Sequence, residues 1–104
     1  MKKAALLRQE ERSILETELS NWALLSNRDA IVRSYQFKDF KSAFAFMTQC
    51  AMHAEEMNHH PEWLNVWNRV EVTLSTHDSG GLTQRDIELA RAMDHCAAHY
   101  LDKK

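Results

Sequence analysis

Backbone breakers are scarce: one proline and two glycines in 104 residues. They stand at two places only, Pro61 and Gly80-Gly81, so no Pro- or Gly-rich linker divides the chain. Low-complexity segments and internal repeats are also missing. The two cysteines, Cys50 and Cys96, lack metal-type spacing, which argues against a zinc module or a disulfide scaffold. Cys50 instead suits a reduced, small hydrophobe on the apolar side of a helix. No apolar run approaches a membrane span. Met1-Lys2-Lys3 followed by Ala4 to Leu7 has the outline of a signal peptide, but its apolar run ends at Arg8, too early for one. Charge of one sign is lacking too. Thirteen basic residues against fifteen acidic ones give −2, interspersed, which excludes a nucleic-acid or membrane surface built on bulk charge. What remains, 44% hydrophobic and 27% charged, is the composition of an ordinary soluble protein. A chain of this size buries roughly two thirds of its unfolded surface and needs no staple. One domain over residues 1–104, in the cytoplasm, is the expectation.

Residues 7 to 19 read as a short amphipathic helix with a sparse stripe, Leu7, Ile14, Leu15 and Leu19. Trp22 to Leu25 reads as a strand, and Ser26-Asn27-Arg28-Asp29 as a turn. Ile31 to Phe37 alternates with period two, a second strand that completes a hairpin. Asp39 offers an N-cap to a helix running to about Met57, whose apolar positions are Phe40, Ala43, Phe44, Met47, Cys50, Ala51 and Ala54. Asn58 and Pro61 end it. Trp63 to Trp67 and Val70 to Leu74 form a second hairpin around an Asn68-Arg69 turn. Thr83 to Asp86 resembles a capping box with Asp in place of Glu, opening a last helix whose inward face is Ile87, Ala90, Ala97 and Leu101. The predicted fold is α+β: α-β-β-α-β-β-α, a four-stranded antiparallel sheet with helices packed on one face.

Half of the six histidines fall between Glu55 and Asp86. His59 and His60 leave the long helix together, and neighbours on extended chain point to opposite faces, so they do not chelate one metal as a pair. His77 lies just past the strand that returns beside the one begun at Pro61, which brings it near His59 or His60. Glu55, one turn back on the helix, and Asp78 reach the same rim. Imidazoles move protons well at neutral pH. Two blander readings stand beside this one: loop histidines that are merely solvated, and a zinc site of His59 or His60 with His77 and a carboxylate, for which no HExxH or paired-cysteine motif exists. Trp63 and Trp67 suit either a site wall or plain core. His95 and His99 are spaced i,i+4 but fit a solvated helix end, His53 carries no clear role, and Met47, Met52 and Met57 fit packing.

The pattern Glu55-xxx-His59-His60-Pro61-xxxxx-Trp67-x₉-His77-x₈-Asp86 resembles the signature of the pterin-4a-carbinolamine dehydratases. Arg28-Asp29-Ala30-Ile31, Phe37-Lys38-Asp39-Phe40, Leu74 to Asp78 and Gly81-Leu82-Thr83-xx-Asp86 resemble the same family, over about residues 10 to 96. The resemblance implies a hydro-lyase that removes water from 4a-hydroxytetrahydropterin, the carbinolamine left by aromatic amino acid hydroxylases, to give quinonoid dihydropterin for tetrahydrobiopterin recycling. It implies no redox change, hence no cofactor and no metal; the missing glycine-rich phosphate loop agrees. His59 and His77 would be the proton-transfer pair, acid and base unassigned, with His60 the third catalytic residue and chiefly a binder. Glu55, Trp63, Ser75, Thr76 and Asp78 would contact the pterin, and Asp86 and Trp67 would support the site from behind. The resemblance further implies a homodimer or homotetramer, and a possible transcription-factor or hydroxylase partner, without direct nucleic-acid or membrane contact. The competing reading is an interaction module, a dimerisation or transcriptional cofactor without essential catalysis. A third is pterin binding without turnover.

Overall fold

Asp39 sets the longest element. Its carboxylate accepts from the Ser42 N–H at 2.8 Å and caps α1, Phe40–Met57. The far end closes on Asn58, whose backbone is left-handed at φ 52°. Its N–H bonds to Glu55 O, and the His59 N–H reaches back to Ala54 O. These are the paired bonds of a Schellman motif with Asn in the usual glycine place, and they fix the direction in which His59 leaves the helix. The computed structural model describes residues 4–101, so Met1-Lys2-Lys3 and the expectation attached to them lie outside it.

The strands are β1 (Ala23–Leu24), β2 (Ile31–Gln36), β3 (Glu62–Val66) and β4 (Arg69–Leu74), antiparallel throughout in the order β1-β2-β4-β3. Alternation sends Ile31, Tyr35, Val70, Val72 and Leu74 inward, where they are fully buried. Against them α1 sets Ala43, Phe46, Cys50 and Ala54, and α2 (Gln84–Ala97) sets Ile87, Leu89, Ala90, Met93 and Ala97. Phe46 is the keystone, its ring 4.7 Å from Tyr35 and 5.0 Å from Phe37 between centroids. Burying a side chain of that kind contributes about 1.5–3 kcal/mol. Asp94 on α2 ties the layers by accepting from Trp22 Nε1 at 3.1 Å, Arg33 Nη1 at 2.7 Å and the Tyr35 hydroxyl. The fold is the expected α+β sheet with its helices. No described helix is long and apolar enough to cross a membrane.

Four local expectations need correction. The first helix is a 3₁₀ helix, Gln9–Leu15, followed by turns rather than an α-helix to residue 19. Its stripe was sparse, and Leu7, whose N–H bonds to Leu82 O at 2.8 Å, anchors the segment from outside. β1 is two residues long, because Trp22 turns inward to Asp94 instead of joining the ladder. The second hairpin turns at Trp67-Asn68, one residue earlier than expected. Asn68 exchanges bonds with Phe37, its Nδ2 donating to Phe37 O at 2.8 Å, which leaves Trp67 to adopt the left-handed φ of 51°. On α1 the buried stripe runs through Phe46, while Phe40 and Phe44 are exposed.

Candidate active site

The loop after β4 is built to hold His77 in place. Thr76 N donates to Gly81 O at 2.9 Å, Gly80 N returns to Thr76 O at 3.0 Å, and His77–Ser79 forms one 3₁₀ turn. Gly80 takes φ +79°, and a Cβ on Gly81 would meet Asp29 Oδ2 at 2.3 Å, so both positions need glycine. That close approach lets Asp29 bind the loop: Oδ2 accepts from Leu82 N at 3.0 Å, and the Asp29 carbonyl accepts from Ser75 Oγ at 2.9 Å. Arg12 grips the same carboxylate at 2.7 and 3.0 Å, and with the Leu82 N–H it holds the Asp29 carboxyl below the usual range.

Each of the three histidines meets a carboxylate through Nε2. His59, 7% exposed, lies 2.6 Å from Oδ1 of fully buried Asp86. His60, largely exposed, lies 2.7 Å from Glu55 Oε1, and His77, 76% exposed, lies 3.1 Å from Glu62 Oε2. An ionised carboxylate only accepts, so in each pair Nε2 carries the hydrogen and Nδ1 is left for a ligand. Among the described residues none of the three rings has a second hydrogen-bond partner.

Asp86 is the hub of the buried pair. As the third residue of α2 it closes the capping box, its Oδ2 accepting from Thr83 N at 3.0 Å, and it also accepts from Thr76 Oγ1 at 2.8 Å. Thr76 has spent its hydrogen there, so the Thr83 hydroxyl, 2.7 Å away, donates to Thr76 and accepts from Arg85 N. The chain is satisfied throughout: no buried side-chain polar atom lacks a partner among the described residues. The exposed pair is held differently. Arg28 clamps Glu62 with Nη1 at 2.9 Å and Nη2 at 2.8 Å, and Arg28 first, then His77, pulls the Glu62 carboxyl down to about 2.

A cavity of about 200 Å³ gathers His59, His60 and His77 with Ser75, Thr76 and Asp78, together with Asn58 and Arg85. Glu55 stands behind His60 and Asp86 behind His59. Neither tryptophan walls the cavity, and Trp63 takes the core place that the sequence also allows it. Trp63 pairs with Val72 in the ladder and packs on the core, outside the cavity lining. Trp67 sits at the β3–β4 turn, 67% exposed, at the other end of β3 from the histidines. Sequence reasoning missed Glu62, Arg28, Asn58 and Arg85. Glu62 was within reach: it opens β3 opposite Thr73 of β4, four residues before His77. A larger hollow of about 570 Å³ beside the 3₁₀ helix is lined by Leu7, Arg12, Leu15 and Leu24 among others and holds no imidazole. No group of three or more His, Cys, Asp or Glu among the described residues is placed to hold a metal; His95 and His99 stack edge-on, 5.7 Å between centroids.

Comparison with known proteins gives the family. The sequence model of the family described as pterin 4 alpha carbinolamine dehydratase matches residues 5–96. A protein of Burkholderia orbicola, provisionally named a pterin-4-alpha-carbinolamine dehydratase, is 58% identical over 93 residues, 89% of this chain and 91% of its own. Its similarly named counterpart from Burkholderia multivorans is 59% identical with the same coverage. Among solved structures, a transcriptional coactivator/pterin dehydratase from Brucella melitensis superposes with a TM-score of 0.84 at 47% identity, covering 88% of this chain and 98% of that one. The fold alone is shared with a pterin dehydratase-like RuBisCO assembly factor of the alpha-carboxysome, at 20% identity and TM-score 0.64. The chain belongs to the pterin 4 alpha carbinolamine dehydratase family and is, as such, a dehydratase, a hydro-lyase.

Proposed function

We propose that this cavity eliminates water from a 4a-hydroxytetrahydropterin. The N5–H bond breaks and its electrons form the C4a=N5 bond of the quinonoid dihydropterin. The C4a–O bond breaks, and the departing hydroxide takes up a proton as water. One group must accept a proton and another must supply one. The observation that carries the reading is His59 fixed at 2.6 Å on buried Asp86 in a cavity shared with two further imidazoles. Asp86 holds the His59 hydrogen on Nε2, which makes Nδ1 a fixed acceptor and His59 the base at N5. His77, open to water, acts with a proton on each ring nitrogen: the Nδ1 proton goes to the leaving hydroxyl, the ring is left with its hydrogen on Nε2 beside Glu62, and solvent restores the Nδ1 proton. His60, oriented by Glu55, binds the pterin, while Ser75 and Asp78 offer it edge hydrogen bonds and Thr76, its hydroxyl and backbone groups already bonded, steadies Asp86 beneath them. The setting we propose is tetrahydrobiopterin recycling after aromatic amino acid hydroxylation, in the cytoplasm, by a homodimer or homotetramer.

Stopped-flow decay of chemically generated 4a-hydroxytetrahydropterin tests this, with chelator present throughout. The wild type should accelerate decay, and the His59→Ala/His77→Ala double variant should lose about 10²-fold or more of that acceleration. A folded wild type that accelerates nothing would refute the reading. The interaction-module reading would then lead. It is favoured by the exposed Phe40 and Phe44 rings on α1, 5.8 Å apart, and by Leu64 and Val66 exposed on β3 at the sheet edge.

A further inference from the structure

Glu62 touches a site histidine, yet it stands outside the histidine signature and outside the cavity lining. As the first residue of β3 its backbone is held opposite Thr73 by the ladder. Its Oε2 is shared between His77 Nε2 at 3.1 Å and Arg28 Nη2 at 2.8 Å, and Oε1 takes Arg28 Nη1 at 2.9 Å. Two parallel bonds from one guanidinium fix the carboxylate plane, which a single contact would not. Arg28 is anchored in turn: it adjoins Asp29, which Arg12 and the Leu82 N–H lock in place. A clamp this exposed adds little to stability, so its consequence has to be sought in geometry. His77 is the most exposed of the three rings, and an exposed side chain samples its rotamers freely unless something holds it.

We propose that Arg28 and Glu62 are positioning residues for His77, holding its ring in one rotamer with a hydrogen kept on Nε2, so that Nδ1 is the nitrogen that carries a second proton and delivers it to the leaving hydroxyl. This rests on the dehydratase reading above, through which His77 acquires a role. Neither residue touches the substrate; both act through the imidazole.

The test combines kinetics with nitrogen NMR of the His77 ring. Glu62→Ala should lower kcat roughly tenfold with little change in KM, and Arg28→Gln about threefold. Glu62→Gln, which keeps a carbonyl acceptor, should recover part of the loss. In a His77→Ala background neither Glu62→Ala nor Arg28→Gln should reduce the rate further, since both act through the missing ring. Equal losses in both backgrounds would mean a merely structural role and would overturn the proposal. The NMR arm is independent of turnover. The wild-type ring should show one tautomer with hydrogen on Nε2, and Glu62→Ala should mix the two tautomers. Ring signals unchanged by Glu62→Ala would also overturn it. If His77→Ala turns over like wild type, the role given to His77 in the dehydratase reading falls, and the positioning inference with it; the NMR arm alone then reports whether the clamp orients the ring.

Discussion

His59 with Asp86 and His77 with Glu62 are the same chemical pair in opposite surroundings. The first is 2.6 Å long and buried; the second is 3.1 Å long and open to water. Asp86 serves a fold as well as an imidazole, since it also closes the α2 capping box and takes the Thr76 hydroxyl. Among the described residues, the Glu62 carboxylate serves only His77 and Arg28. In a buried site a ligand-facing group and the helix behind it share one carboxylate, so catalysis and stability fall together. On the surface they separate, and a mutation can remove one while sparing the other. The proposed roles follow this difference: a fixed base inside, a solvent-recharged acid outside.

The largest effect should come from Asp86→Asn. Two donors, Thr83 N–H and Thr76 O–H, converge on Oδ2 and require the amide oxygen there. The amide NH₂ must then face His59, and Nε2 must accept, which moves the ring hydrogen to Nδ1 and removes the base. Turnover should fall about 10³- to 10⁴-fold, with stability lowered by about 1–3 kcal/mol in urea unfolding. His77→Ala should instead reduce turnover about 10²-fold while the urea midpoint stays near wild type, because the ring is 76% exposed. A large destabilisation there would erase the contrast. Smaller again, His60→Ala should raise KM about tenfold and change kcat less, read by initial rates across pterin concentration.

The smallest effect sharpens the contrast through pH. The Asp29 carboxyl is lowered chiefly by its Arg12 hydrogen bond, and that of Glu62 chiefly by Arg28. A carboxyl whose folded value is depressed stabilises the protein above its unfolded value of about 4 and loses that contribution as pH falls through the folded one. Urea midpoints should therefore drop on acidification below about pH 4. Asp29→Asn and Glu62→Gln should each flatten the drop, since each removes a carboxyl that a guanidinium holds low in the folded protein.

Much of this was legible in the chain, and the reasons differ by element. α1 announces itself by Asp39, an apolar period and Asn58, all local signals that the structure honours. β2 and β4 alternate cleanly because one face is buried and the other is not. The His59 to Asp86 pattern could be read as one site because β3 and β4 return upon each other. The first segment misled because tertiary bonds, Leu7 to Leu82 and Arg12 to Asp29, override a weak local preference. Phe40 and Phe44 share a helical period with buried positions, and period alone does not say which side of an apolar helix faces the sheet. Trp67 followed its neighbour: once Asn68 is bonded to Phe37, the left-handed position falls on the tryptophan. Glu62 escaped notice because its partner His77 lies across a strand register and a loop, a relation only pairing reveals.

Buried Asp86, on the proposed mechanism, fixes His59 as the base. Nitrogen NMR of the imidazole rings at neutral pH, wild type beside Asp86→Asn, tests it most directly. The wild-type His59 hydrogen should sit on Nε2 and move to Nδ1 in the variant, with turnover lost along with it. A wild-type His59 carrying its hydrogen on Nδ1, or a variant with the hydrogen moved and turnover intact, would contradict it.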